Sequence, residues 1–155
     1  MTGIRTALKE CKVEEDNIFE TEVAGAFELP LAAKFLAMSG TVDAIVCTGV
    51  LIKGDTLHFE YISDTVSSAI MSVGLQTSTP LIFGVLTCLT EEQVKKRSTG
   101  DSNHGYDWGK TAVEMSLLKH QALGKGVNKP ASMGFSSDGE EDAEKSDKKK
   151  VSGFF

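Results

Sequence analysis

No stretch of the 155-residue chain reaches the ~20 consecutive apolar residues that a membrane-crossing helix needs, so none is expected. The opening MTGIRTALKECKVEED lacks the apolar core of a secretory signal. Positive charge is also short. There are 16 Lys and Arg against 22 Asp and Glu, a formal net charge of −6, which argues against a nucleic-acid or anionic-membrane surface. Three cysteines, Cys11, Cys47 and Cys88, form no C-x-x-C and leave an odd count. That speaks against a disulfide framework and for a reducing, cytoplasmic setting. Cys47 and Cys88 lie in apolar runs, where a free thiol acts as a small hydrophobe. His58, His104 and His120 are scattered with no pair at helical spacing, so no metal is expected.

What is present is ordinary for a globular protein: 41% hydrophobic and 25% charged residues, in a chain long enough for one domain with a real core. Strand-like and helix-like segments alternate. Residues 17–23 (NIFETEV) alternate in character and suit a strand. Residues 29–39 read as a helix with Pro30 in the first turn and Gly40 just past the end. Residues 44–47 and 80–87 are short apolar runs of the kind buried in a parallel sheet. Helices are expected at 59–76, at 90–97 behind an N-cap Thr90, and at 106–123. Residues 4–10 resemble the second half of a helix with no strand before it. Such alternation predicts parallel β-α-β units in a three-layer α/β/α sandwich, with ligands at the carboxyl ends of the strands. The loops at 24–28, 49–58 and 87–90 leave those ends. After Leu123 the chain turns rich in Gly, Ser, Lys, Asp and Glu. Residues 124–155 are expected as a disordered charged tail behind a domain at 1–123.

The loop GVLIKGDTLHFEY (residues 49–61) is one residue away from a phosphate loop of the form G-x-x-x-x-G-K-[ST], with Asp55 where the lysine belongs. Backbone N–H groups at a helix start can hold phosphate without a cation, and Thr56 adds a hydroxyl. An ordinary glycine turn with a capping threonine explains the same letters. His58 could be a structural histidine or a proton shuttle, since the positive end of a helix favours its neutral form. Arg97 closes a basic last turn, where dipole compensation is the plain reading, and Glu28 could be a helix-start carboxylate. Phe27 and Phe83 read as core, and His104, Asp107 and Trp108 cluster in NHGYDWG (residues 103–109).

Four segments in order, AGAFELPLAAK (24–34), GVLIKGDTLHFEYISD (49–64), IFGVLTCLTEEQ (82–93) and NHGYDWGKTAVEM (103–115), together resemble the lumazine synthase family, in its fungal-like form. The resemblance spans roughly residues 3–119, and G-x-[TDS]-x-H-F-[DE]-Y after a strand is its most specific element. It implies a flavodoxin-like parallel sheet and an enzyme of riboflavin biosynthesis. Such an enzyme condenses 5-amino-6-(D-ribitylamino)uracil with 3,4-dihydroxy-2-butanone 4-phosphate and releases phosphate and water. No cofactor is implied. By resemblance His58 shuttles protons and Asp107 orients its imidazole. Asp55 (through its backbone), Thr56 and Arg97 hold the phosphate, with His104 nearby. Ala26, Phe27 and Glu28 bind the ribityl chain, the backbone of Val50, Leu51 and Ile52 reads the pyrimidine, and Phe83 closes the pocket. Phe83 and Arg97 come from a neighbouring subunit, so the partners implied are small-molecule substrates and further copies of the chain in a homopentamer.

Three departures stand out. Position 104 is His where bacterial members carry lysine, and Ala24 replaces a usual proline. The family's first strand, with an aromatic ring for the uracil, has no counterpart. In the family order that strand lies between residues 17–23 and 44–48, so its loss opens a gap of roughly 10 Å or forces re-pairing. The expectation is therefore an N-terminally shortened domain, and the alternative function is a flavin- or lumazine-binding module without turnover.

Overall fold

The computed structural model describes residues 2–123, and the tail expected at 124–155 lies outside them. Two parallel strands, β1 (Ile45–Ile52) and β2 (Leu81–Cys88), form the sheet. They pair in register from Ile45 opposite Leu81 to Ile52 opposite Cys88. Among the described residues there are five α-helices: α1 (Thr2–Glu10), α2 (Leu29–Ser39), α3 (His58–Thr77), α4 (Glu91–Ser98) and α5 (His104–Ala122); α2 to α5 pack on the strands, and α1 packs on α5.

Side chains alternate across a strand, and that alternation sorts the helices into layers. The odd positions Ile45, Cys47 and Val85 face one way and bury against Ala33 and Ala37 of α2 and Val66 and Ile70 of α3. Gly84 faces the other way, where a Cβ would stand 3.0 Å from Trp108 of α5. Helices therefore cover both faces of a parallel pair, the three-layer α/β/α arrangement predicted above.

Local chemistry explains where the elements begin and end. Pro30 occupies the first turn of α2, and Gly40 ends it in the left-handed region at φ 68°. At α4 the Gln93 N–H donates to Thr90 Oγ1 at 3.3 Å, and the Leu89 N–H donates to Gln93 Oε1 at 2.8 Å. This near-reciprocal cap sets the start of an eight-residue helix that buries none of its residues.

Two expectations are corrected. Residues 17–23 form no strand: a tight turn at Glu15–Asn17 leads into unpaired chain. A strand is stabilised by its ladder and cross-strand neighbours, and the sheet among the described residues is β1–β2 alone. Arg5 of α1 pins this segment instead, bonding Glu20 at 2.9 Å and pairing with Glu15. Among the described residues no third strand pairs with β1 or β2. Second, β1 runs through Gly49 to Ile52 where a loop was expected from Gly49 onward. Gly49 has no positive φ, and a Cβ there would stand 3.5 Å from Leu29 and 3.7 Å from Val85, ordinary contact distances, so the position is a plain strand residue and not a turn.

Candidate active site at the carboxyl end of β1

β1 ends at Ile52, and a short loop carries the chain up to His58, the first residue of α3. Beside it, a turn at Ala26–Glu28 delivers the chain into α2. Between these pieces lies a cleft of about 370 Å³, within the size range of small-molecule sites. Ala26, Phe27 and Glu28 line it from the turn before α2, and Leu51 and Ile52 from the end of β1. Thr56 and His58 line it from the loop and the first residue of α3. The His58 N–H donates to Thr56 Oγ1 at 3.4 Å, so the hydroxyl sits at the start of the helix. A helix start presents N–H groups without partners inside the helix, which makes it attractive to anions.

Seven of the sequence-derived residues thus share one cleft: Ala26, Phe27, Glu28, Leu51, Ile52, Thr56 and His58. Phe59 and Ile62 line it as well and were not singled out. Their signal was readable, since 58, 59 and 62 fall on one side of a helix.

The remaining candidates stand elsewhere. His104 and Asp107 line a second depression of about 630 Å³ between the starts of α1 and α5, together with Thr2, Thr6 and Asn103. No hydrogen bond joins Asp107 to His58 among the described residues. Asn103 caps α5 by accepting from the Gly105 N–H at 2.9 Å. The His104 ring meets Trp108 edge to face, with centroids 6.3 Å apart. Tyr106 donates to Glu10 at 2.6 Å, and that carboxylate raises the phenol's pKa. Arg97 on α4 turns its guanidinium back to the Gln93 carbonyl at 3.1 Å. Val50, Asp55, Phe83 and Arg97 line neither depression. Phe83 remains 38% exposed on β2. No cluster of three or more His, Cys, Asp or Glu gathers among the described residues to hold a metal.

In open parallel α/β proteins, small-molecule sites lie at the carboxyl ends of the strands beside helix starts, which is where this cleft stands. Comparison with known proteins makes this specific. The family described as 6,7-dimethyl-8-ribityllumazine synthase matches residues 1–120. Among its relatives are proteins of that name from Pyricularia oryzae (38% identical, covering 81% of this chain and 82% of the relative) and Schizosaccharomyces pombe (45%, covering 74% of each). Another, from Clostridium kluyveri, is 42% identical over 76% of this chain and 77% of its own length. The chain belongs to the 6,7-dimethyl-8-ribityllumazine synthase family, a family of transferases.

Proposed function

We propose that the chain is a 6,7-dimethyl-8-ribityllumazine synthase, joining 5-amino-6-(D-ribitylamino)uracil to 3,4-dihydroxy-2-butanone 4-phosphate with release of phosphate and water. The observation that carries this reading is the cleft at the end of β1, which gathers Phe27, Glu28, Thr56 and His58 in a chain of this family. The chemistry is imine formation, elimination of phosphate and ring closure, and it runs without a cofactor. Each step moves protons between reactants that are reactive themselves, so the protein mainly holds them together and shuttles protons. Glu28 accepts from the ribityl hydroxyls, and the ends of Val50, Leu51 and Ile52 meet the pyrimidine. Thr56, the Asp55 N–H and the start of α3 receive the phosphate, and His58 passes protons across the cleft.

Arg97, the cation in place of the missing loop lysine, is assigned to the same site from an adjacent copy, as is Phe83. His104 and Asp107 follow the same route, since they stand apart from His58 within one chain. The assembly proposed is a homopentamer. Large apolar side chains left exposed on α2 and α3 support a multimer: Leu31, Phe35 and Met38, then Tyr61, Met71 and Leu75. A reducing, cytoplasmic setting completes the reading, supported by the free thiols Cys11, Cys47 and Cys88.

The test is turnover of the two substrates by the purified chain. His58→Ala should slow it by about 10²–10⁴-fold with binding retained. Mixing His58→Ala chains with Arg97→Ala chains should recover part of the turnover, because some interfaces then hold one intact half from each. No recovery would place both groups on one chain.

A further inference from the structure

We propose that Lys53 and Glu60 are positioning residues that hold the phosphate-binding loop, residues 54–57, from behind. The proposal rests on the reading of the cleft as a lumazine synthase site.

The loop has little of its own to fix its shape. Gly54, Asp55, Thr56 and Leu57 are all exposed, and a Cβ at Gly54 would meet nothing within 4 Å. Backbone bonds hold it only at its two ends. The Lys53 N–H donates to the Cys88 carbonyl at 3.0 Å, one step past the end of β1. The Tyr61 N–H donates to the Leu57 carbonyl at 3.2 Å as α3 begins. Across this gap the Lys53 ammonium forms an ion pair and hydrogen bond with Glu60 Oε1 in the first turn of α3. One residue is thus tied through its backbone to β2 and through its side chain to α3. The two ties close the loop into a ring, and Gly54 and Thr56 of that ring line the cleft.

The pair stands outside the cleft. His58, Phe59 and Ile62 line it, and at about 100° per residue Glu60 falls on the turned-away side of the helix. Its second carboxylate oxygen, Oε2, is buried without a hydrogen-bond partner, so Lys53 is the group that holds this carboxylate in place. The charge also matters to the ligand. A free carboxylate in the first turn of α3 would compete with a phosphate for the same helix start, and Lys53 neutralises it.

Another use for Lys53 is possible on chemical grounds. It sits two positions before Asp55, where a phosphate loop has its lysine, and could itself grip the phosphate. Its engagement with Glu60 favours the bracing role, and the two roles give opposite results on Glu60. Both side chains are about two-fifths exposed, where ion pairs add little to global stability. The effect therefore belongs to loop order and substrate affinity, not to folding.

The experiment is steady-state kinetics with each substrate varied in turn, beside amide hydrogen exchange at the bonded N–H groups that pin the loop, those of residues 53, 58 and 61. Lys53→Met and Glu60→Gln should each raise KM for the butanone phosphate about three- to ten-fold. KM for the ribitylaminouracil and the unfolding midpoint should not move. Exchange at these three amides should quicken in both. Lys53→Arg, and the charge-swapped pair Lys53→Glu with Glu60→Lys, should restore both readouts. If Lys53→Met weakens the phosphate substrate while Glu60→Gln leaves or improves it, Lys53 is a ligand and the bracing role is wrong. Unchanged exchange in both single variants overturns it equally. A wild-type chain that turns nothing over refutes the enzymatic reading, while the exchange arm still decides the brace.

Discussion

Gly109 lies in the seam where α1 crosses α5, and replacing it tests whether that seam is as close as described. The seam is built from small or flush residues: Gly3, Ile4 and Ala7 of α1 are buried against Gly105, Gly109 and Ala112 of α5. A Cβ at Gly109 would stand 2.8 Å from the Ala7 Cβ and 2.9 Å from the Ile4 carbonyl oxygen. Carbon atoms prefer ~3.5–4.0 Å, so the helices must part by about 1 Å and lose a share of their dispersion contact. Overpacking of this kind costs about 1–3 kcal/mol. Removing a mid-helix glycine returns about 1 kcal/mol when the replacement is alanine, and less when it is β-branched. Gly109→Ala is therefore expected near neutral to mildly destabilising. Gly109→Val, with more bulk and less return, should lose about 2 kcal/mol. In urea that lowers the midpoint by roughly 1 M, measured at fixed chain concentration because assembly couples to folding. Gly54→Ala, with open space around it, is the control and should shift little. A Gly109→Val chain with the wild-type midpoint would refute the close crossing.

Ile70, 1% exposed in the core between α2, α3 and the sheet, should cost about 2–5 kcal/mol when cut to alanine, read as a drop in urea midpoint. Burial pushes the Cys47 thiol up to about 11 from 9.0. Above pH ~9 the unfolded chain ionises this thiol while the folded one keeps its proton. The stabilisation, whole below pH 9, is therefore lost as pH rises to about 11, on the order of 2–3 kcal/mol. Unfolding midpoints between pH 8 and 11 should show this fall, and Cys47→Ala should remove that part of it. Thr90→Ala deletes the cap of α4 and should destabilise that helix by about 0.5–2 kcal/mol. Because α4 carries Arg97, KM for the butanone phosphate should rise in the same variant.

The helices were legible where local chemistry alone decides them: Pro30 and Gly40 bracket α2, and Thr90 caps α4. The strands were legible as apolar runs, but their limits were not. Gly49 reads as a turn in sequence and sits inside β1 in the structure, without a positive φ. Residues 17–23 carry a strand's alternation, yet pairing needs a neighbour that no local pattern supplies. The cleft residues were legible chiefly through the family resemblance, since a lone His58 or Glu28 has an equally good structural explanation. Spacing gave no sign that His104 and Asp107 would stand in a separate depression from His58. That separation depends on where α5 crosses the sheet, and Gly84 and Gly109 set this by how closely Trp108 and α1 approach.

The most direct measurement mixes the purified chain with the ribitylaminouracil and the butanone phosphate and follows the lumazine product and free phosphate together. Expected is the appearance of both in equal amounts, faster than from the substrates alone, and slowed by about 10²-fold or more in His58→Ala. Binding of the product or of riboflavin with no phosphate released above that background would contradict the assignment and leave a binding module in its place.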